Sequence, residues 1–374
     1  WINMSKAFGI INFACGHIRV TGMQLYRPIG AFSFLGRYRV IDFPISNMSN
    51  SGIDRIQVYV RRKPRSLAEH IGTGRHYNIN SKRGKLQLLF AEHSSENDIY
   101  NTDIAAFMEN IDIIERMNEP YVVIAPSYMV FSMNFAELLE SHIESEADIT
   151  LLYHSVDNGD EAFLNCDFLN LNRQKGVLSI EKNRGNKKNR NIFLDTYIMK
   201  KDLFIELIRK AKKISSMYTL PQIVNIECEN LDVRAVAHKG FLASITDFKS
   251  YYDSNLALID FNNARSLFKE DWPIYTRTND SAPTQYFDTA SVKSSVVSNG
   301  CLIEGTIENS IIGRGCTIKK GAIVKNSVIL PGAMIGKNAI IENQVVDKRA
   351  QIIHSNEIIA PADNPGYIKR EDKL

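Results

Sequence analysis

The sequence is short of several things, and each shortage narrows what the chain can be. Its five cysteines, at 15, 166, 228, 301 and 316, are scattered and form no CxxC pair. That argues against a disulfide framework or a zinc site and for reduced thiols in a cytoplasmic protein. No apolar run approaches the ~20 residues of a membrane-spanning helix. Trp1-Ile2-Asn3-Met4-Ser5-Lys6 lacks the apolar core of a secretory signal; Met4 is read as a natural start, with Trp1, Ile2 and Asn3 foreign to it. A net charge of +3 is too slight to argue for a nucleic acid or an anionic membrane as partner. One shortage is local. Residues 121–135, YVVIAPSYMVFSMNF, open as the β-branched apolar run of a buried parallel strand. Ligands of an open α/β sheet bind beyond the carboxyl ends of such strands. A phosphate-handling protein would set a metal-binding carboxylate there, yet Pro126-Ser127-Tyr128-Met129 holds no Asp, Glu or His.

What is present reads as two domains, the default for 374 residues of ordinary composition, 44% hydrophobic and 23% charged. Residues 7–13 and 56–60 read as buried strands, and Ser46 or Asn47 as a helix start. The basic cluster Arg61-Arg62-Lys63-Pro64-Arg65 is either a solvated loop or a phosphate-binding patch; Ser66 to Glu69 behind it has a capping-box pattern. The period of Ile104, Phe107, Met108, Ile111 and Ile114 predicts one helix over 104–117. Another begins at Asn134, a strand follows over 148–153, and an amphipathic helix covers 203–212. Strands alternating with helices over some 260 residues predict a doubly wound sheet.

After Asp271 the pattern changes. Residues 271–290 carry prolines and no helical period, as an extended linker would. Beyond Ser291, Ile312, Ile318 and Val324 lie six apart, as do Ile323, Ile329, Ile335 and Ile341, with glycines at turn-like spacing. A six-residue apolar period marks a hexapeptide β-helix. Its apolar positions come as doublets, such as Ile311-Ile312, Val328-Ile329 and Val345-Val346. Neighbours on a strand point to opposite faces, so one of each pair faces out. That stripe needs a cover, either this chain's first domain or another chain.

The stretches RVIDFPISNMSNSGIDRIQVYV (39–60), HIGTG (70–74), DWPIYTR (271–277) and ENSIIGRGCTIKKGAIVKNSVILPGAMIGKNAIIEN (308–343) resemble the bacterial glucose-1-phosphate adenylyltransferase family along nearly the whole chain. The resemblance implies an α/β fold: a Rossmann-like nucleotidyltransferase domain (1–270), mostly parallel with helices on both faces. A linker (271–290) and a short left-handed parallel β-helix of hexapeptide repeats with a C-terminal tail (291–374) complete it. Family members join glucose 1-phosphate to ATP. Such chemistry needs an amide cradle for the leaving pyrophosphate and carboxylates for a divalent metal.

Laid on the family's motifs, this chain departs at each. The glycine-rich loop becomes Ala14, Cys15, Gly16, His17, Ile18 and Arg19; Arg19 is kept and the motif's glycines are not, leaving a vestigial nucleotide loop. The metal-binding aspartates become Tyr128 and Ser244, so no catalytic or metal-binding residue is assigned; Asp247 and Asp103 are the nearest carboxylates for a rearranged site. Glu181 and Lys182 match the pair that holds the sugar phosphate and are read as its remnant. Arg27, Arg39 and Arg61 are the candidate effector-binding cations. This pattern is similar to the GlgD-type, non-catalytic subunit of the family. It implies a chain without cofactor of its own, Mg²⁺ being bound by a catalytic adenylyltransferase partner in a hetero-oligomer, in all expectation a heterotetramer. The rival expectations are an active enzyme with a rearranged metal site and a sugar-phosphate sensor. A hexapeptide-repeat acyltransferase is disfavoured, since His354 is the only histidine after His238.

Overall fold

The structure, a computed structural model, describes residues 6–14, 18–79, 82, 84–90, 100–354 and 356–374. The first domain runs β1 (Ala7–Asn12), the ribbon β2 (Ser33–Phe34) and β3 (Tyr38–Arg39), α1 (Asp42–Asn50), β4 (Arg55–Val60), α2 (Arg65–Ile71), β5 (Lys85–Phe90), α3 (Asp103–Glu109), α4 (Ile111–Glu115), β6 (Tyr121–Pro126) and β7 (Met129–Val130). It continues through α5 (Phe135–Ser145), β8 (Ile149–Val156), β9 (Asp167–Leu171), β10 (Val177–Lys182), β11 (Arg190–Lys200), α6 (Lys201–Ile214), α7 (Leu220–Glu227), β12 (Val233–Ala237), β13 (Ala243–Ser244), α8 (Phe248–Ala257) and α9 (Phe261–Leu267). A nine-stranded sheet has the order β10-β9-β11-β6-β1-β4-β5, with β8 beside β11 and β12 beyond it. Its centre, β6-β1-β4-β5, is parallel, and β11 runs antiparallel to β6 and β8. The fold is the Rossmann-like one expected.

Sequence accounts for the centre. All six residues of β1 are buried, Phe8 and Ile10 facing one core and Ala7 and Ile11 the other. Between them Gly9 leaves room for α1: a Cβ there would stand 2.3 Å from the Met48 sulfur.

Helix boundaries differ from expectation for local reasons. The first helix begins at Asp42, not at Ser46 or Asn47, because Pro44 falls in the first turn, where no amide donor is required. Ser46 and Asn47 instead hold the segment that follows the first domain. The Ser46 hydroxyl accepts from the Tyr275 amide at 2.9 Å and Asn47 Oδ1 from the Trp272 indole at 2.9 Å. Pro64 caps α2 without a side-chain bond, so Ser66 lies inside the helix and forms no capping box. The helix expected over 104–117 is broken at Asn110, whose backbone (φ −109°, ψ 19°) leaves the helical region. The helix at Asn134 is as read, with its Oδ1 accepting from the Ala136 amide at 3.0 Å.

The second domain is a parallel β-helix of three five-stranded sheets. Its first strand, Gln285–Tyr286, lies within the stretch read as linker and pairs with Leu302–Ile303. Ile312, Ile318 and Val324 fill the coil, followed by Ile329, Ile335 and Ile341, all fully buried. The inward phase slips by one residue at the corner between Val324 and Ile329. Ile323 therefore faces outward, half-buried, rather than continuing the inner row. Asparagines turn these corners: Asn309, Asn326 and Asn343 sit at φ 45°, 45° and 55°. That left-handed region suits asparagine better than most residues.

The outward members Ile311, Val328 and Val345 join the core of the first domain, with α8 packed on the strand Val328–Ile329. The chain's own first domain thus covers one outer face. Each such side chain contributes roughly 1.5–3 kcal/mol on burial. Within this seam lies an ion pair. Arg27, 2% exposed, binds Asp347, 0% exposed, and the Tyr367 hydroxyl donates to the other Asp347 oxygen at 2.7 Å. Gly22 (φ 82°) lies against the Tyr367 ring, where a Cβ would come within 2.4 Å.

Removing one partner of a buried pair strands the other charge. Asp347→Ala is expected to lower stability by about 3–5 kcal/mol, and Arg27→Met/Asp347→Leu by much less. Urea denaturation of the three proteins checks this; an Asp347→Ala midpoint equal to wild type would contradict it.

Candidate functional site

The carboxyl ends of β1 and β6 are adjacent, the Ser127 amide donating to Asn12 O at 2.8 Å. Next in the chain, Tyr128 turns inward and is 6% exposed. Its hydroxyl donates to Asp195 Oδ2 at 2.9 Å, and Tyr197 donates to Oδ1 at 2.9 Å. Asp195 stands at an irregularity of β11 with φ 44°. Burial pushes its carboxyl up to about 6, against the pull of the two tyrosine bonds. Antiparallel pairing of β7 with β13 sets Ser244 opposite Met129. The Ser244 hydroxyl accepts from the Cys166 thiol at 3.3 Å, and burial pushes that thiol up to about 12.

Both positions that the resemblance assigns to metal carboxylates thus carry buried neutral side chains already hydrogen-bonded within the fold. The nearby carboxylates have other work. Asp247 caps α8, accepting from the Ser250 amide at 2.7 Å. Asp103 accepts from Asn12 Nδ2 at 3.0 Å and from the Leu220 and Ile104 amides at 3.0 and 2.8 Å. Among the described residues no group of three or more His, Cys, Asp or Glu is placed to hold a metal. Mg²⁺ asks for carboxylate oxygens and water in near-octahedral geometry; the residues present do not fit it.

Of the loop residues, Cys15, Gly16 and His17 lie outside the described residues. Ala14 and Arg19 line a pocket of about 450 Å³ together with Arg27, Arg61 and Lys63. Two candidate effector cations are thereby brought together. Arg27 Nε and Nη1 are buried without a hydrogen-bond partner among the described residues, although its Nη2 serves the seam. Glu181 and Lys182 are absent from this pocket. Glu181 accepts from Asn170 Nδ2 at 2.6 Å, and Lys182 pairs with Asp167 at 2.7 Å.

Arg39 lies elsewhere, in a cleft of about 420 Å³ between the first domain, the extended segment and the β-helix. Arg37, Arg277, Arg314 and Lys348 line it too, with Glu69 as its one acid among the described residues. Arg39 donates to Ala31 O at 3.0 Å and through its amide to Asp42 at 2.8 Å. Asp42 also binds His70 and the Tyr77 hydroxyl, both at 2.6 Å. Burial, then the charges of Arg39 and Arg27, push the Lys348 amine down to about 6. Arg314 and Lys348 were not legible as site residues, since no local motif marks them; the cleft exists only once the coil docks.

A mixed α/β nucleotidyltransferase-type domain joined to a hexapeptide β-helix defines the class. The nucleotidyl transferase profile matches residues 21–163 and the GlmU-like C-terminal hexapeptide profile residues 283–363. The chain is 32% identical to the glycogen biosynthesis protein GlgD of Geobacillus stearothermophilus, over 86% of this chain and 83% of that protein. It is 29% identical to the GlgD protein of Bacillus subtilis, over 98% and 96%. To the glucose-1-phosphate adenylyltransferase of Clostridium perfringens (strain 13) it is 30% identical, over 79% and 76%. The chain belongs to the glucose-1-phosphate adenylyltransferase family, in its GlgD-type branch.

Asp195 yields a pH prediction. The fold binds its proton more tightly than the unfolded chain does. Its stabilising contribution is therefore present at low pH and lost as pH rises toward about 6. Above that the buried charge costs about 2–3 kcal/mol. Asp195→Asn should thus gain on wild type in stability between pH 4 and pH 7, as read by denaturation at each pH. A constant difference would show that Asp195 does not titrate there.

Proposed function

We propose that this chain is a non-catalytic, regulatory subunit of glycogen biosynthesis in the cytoplasm, associating with a catalytic glucose-1-phosphate adenylyltransferase and raising its activity. One observation carries the reading: Tyr128 and Ser244 fill the two metal-carboxylate positions and are hydrogen-bonded into the core. The relatives' names alone do not decide it, because GlgD proteins and adenylyltransferases match at similar identity. A catalytic site keeps acceptors open for metal and nucleotide; here Tyr128 donates to Asp195 and Ser244 accepts from Cys166. Mg²⁺ would be held by the partner, in a heterotetramer of the two chains. An influence of ~1–3 kcal/mol across the interface would change the partner's activity about 5–150-fold.

The test is ADP-glucose synthesis with Mg²⁺ by this chain alone, the catalytic chain alone and the mixture. Silence alone and a raised rate in the mixture are expected. Turnover by this chain alone that Asp247→Asn abolishes would overturn the reading in favour of a rearranged site.

A sensory role for the same subunit is favoured by the interdomain cleft. Four arginines and Lys348 face the Glu69 carboxylate there, as a phosphate-bearing effector requires. Lys348 gives this role its own signature. Near pH 7.5 a lysine with a value of about 6 is mostly neutral. A bound anion favours the charged form, opposing the Arg39, Arg27 and Arg370 charges that depress it, with Asp347 already on its side. Binding of glucose 6-phosphate should therefore take up a proton, the uptake shrinking as pH falls below 6. Calorimetry in buffers of different ionisation enthalpy reads this directly, and heats independent of buffer would remove Lys348 from the site.

A further inference from the structure

A cavity of about 540 Å³ lies at the amino-terminal ends of β4 and β5, under α4, at the other end of the strands from the pocket that holds Arg27. Gln57 lines it and is 2% exposed. Its Oε1 accepts from the Tyr59 hydroxyl at 2.9 Å. The Tyr59 ring is fixed against Phe107, their centroids 4.9 Å apart. Gln57 Nε2 is left buried with no hydrogen-bond partner among the described residues. A buried polar group without a partner costs about 1–3 kcal/mol, and in a cavity wall it marks a place where an acceptor belongs. In the assigned orientation the Tyr59 hydroxyl donates to Oε1, which leaves the amide's donor end toward the cavity wall.

The surroundings state what kind of acceptor. Lys85 and Arg116 stand exposed at the cavity, and Arg55 and Lys82 add positive charge. Glu119 is paired with Arg55 at 3.5 Å and is not part of the lining. Ile113 and Met117 form an apolar wall. The space falls in the ~300–1,000 Å³ range of small-molecule sites, whose usual build is an apolar lining with a few convergent polar groups.

We infer that this cavity is a binding site for a small organic phosphate. The phosphate is held between Lys85 and Arg116, an ester or ring oxygen meets Gln57 Nε2, and the carbon body lies on Ile113 and Met117. A phosphate fits better than a carboxylate because several cations converge on it and its oxygens point in more than two directions. The Gln57–Tyr59 bond ties the site to the opposite pocket, which Tyr59 also lines. The inference stands on residues separate from those of the proposed function.

Phenyl phosphate is the probe, with benzoate and inorganic phosphate as comparisons, titrated by calorimetry into the full chain. Phenyl phosphate should bind more tightly than either. Lys85→Ala/Arg116→Ala, two surface changes that leave the core alone, should weaken it by about tenfold or more. Gln57→Leu should weaken it further, and Arg39→Ala should leave it unchanged. No binding at millimolar concentration would mean that water alone fills the cavity and would overturn the inference. So would binding that Arg39→Ala abolishes and Lys85→Ala/Arg116→Ala spares, which would place the anion in the interdomain cleft.

Discussion

The buried pairing of Arg27 with Asp347 is the constraint on which the two-domain arrangement turns. A pair so thoroughly removed from water adds little net stability, since desolvation offsets most of the attraction. Its value is in register. The coil repeats about every 4.8 Å along its axis, and the apolar rows of Ile311, Val328 and Val345 would tolerate a slip of one rung. The ion pair would not: a slipped coil leaves two charges buried and alone. Tyr367, bonded to Asp347 and seated on Gly22, narrows the choice further. The same joint positions a basic side chain in each of the two cavities, Arg27 in one and Lys348, next to Asp347, in the other.

The side chains at the two positions that the resemblance gives to metal carboxylates have a plain physical sense. A small residue in place of an aspartate there would leave a gap lined by orphaned donors. Tyr128 instead fills the space and finds a buried acceptor in Asp195, and Ser244 finds a donor in Cys166. Groups that a catalyst holds ready for a ligand are here satisfied within the protein. Active sites commonly give up stability for function; this one has moved the other way, except that Asp195 still carries a carboxyl in the interior.

Much of the fold was legible because its signals are short-range and repeated. The apolar run at 121–125 reads as a buried strand wherever it falls, and the inward rows of the coil recur too regularly to mistake. The slip at Ile323 was hidden because Ile323 and Val324 are equally apolar, so only the corner at Asn326 decides which one enters the coil. Ser66 failed as a cap because Pro64 had already started the helix. The site was legible only as absence. That Tyr128 stands where the resemblance places an aspartate is read from the sequence; that it binds a residue 67 positions on is not. Arg27 and Arg39, twelve apart in the chain, looked like one effector patch. The seam places them in different cavities, and the partner of Arg27 lies 320 residues away. Contacts of that range carry no periodicity, so no pattern along the chain announces them.

On the proposed reading, a subunit without chemistry of its own acts on its partner only through surfaces and through the equilibrium between its own conformations. A ligand shifts such an equilibrium by no more than its difference in affinity for the two states. The cleft meets that requirement in principle, because its cations come from three parts of the chain: Arg39 from the first domain, Arg277 from the extended segment, and Arg314 and Lys348 from the coil. An anion there interacts with all of them only when the coil is seated, so it favours the seated state over any other. A pocket built from one domain alone would bind equally well in both states and transmit nothing. The apolar rows and the ion pair set the opposing scale. They make the seated state strongly preferred, which leaves an effector a modest adjustment rather than an all-or-none switch. On the proposed reading that fits a subunit whose task is to tune a catalytic neighbour.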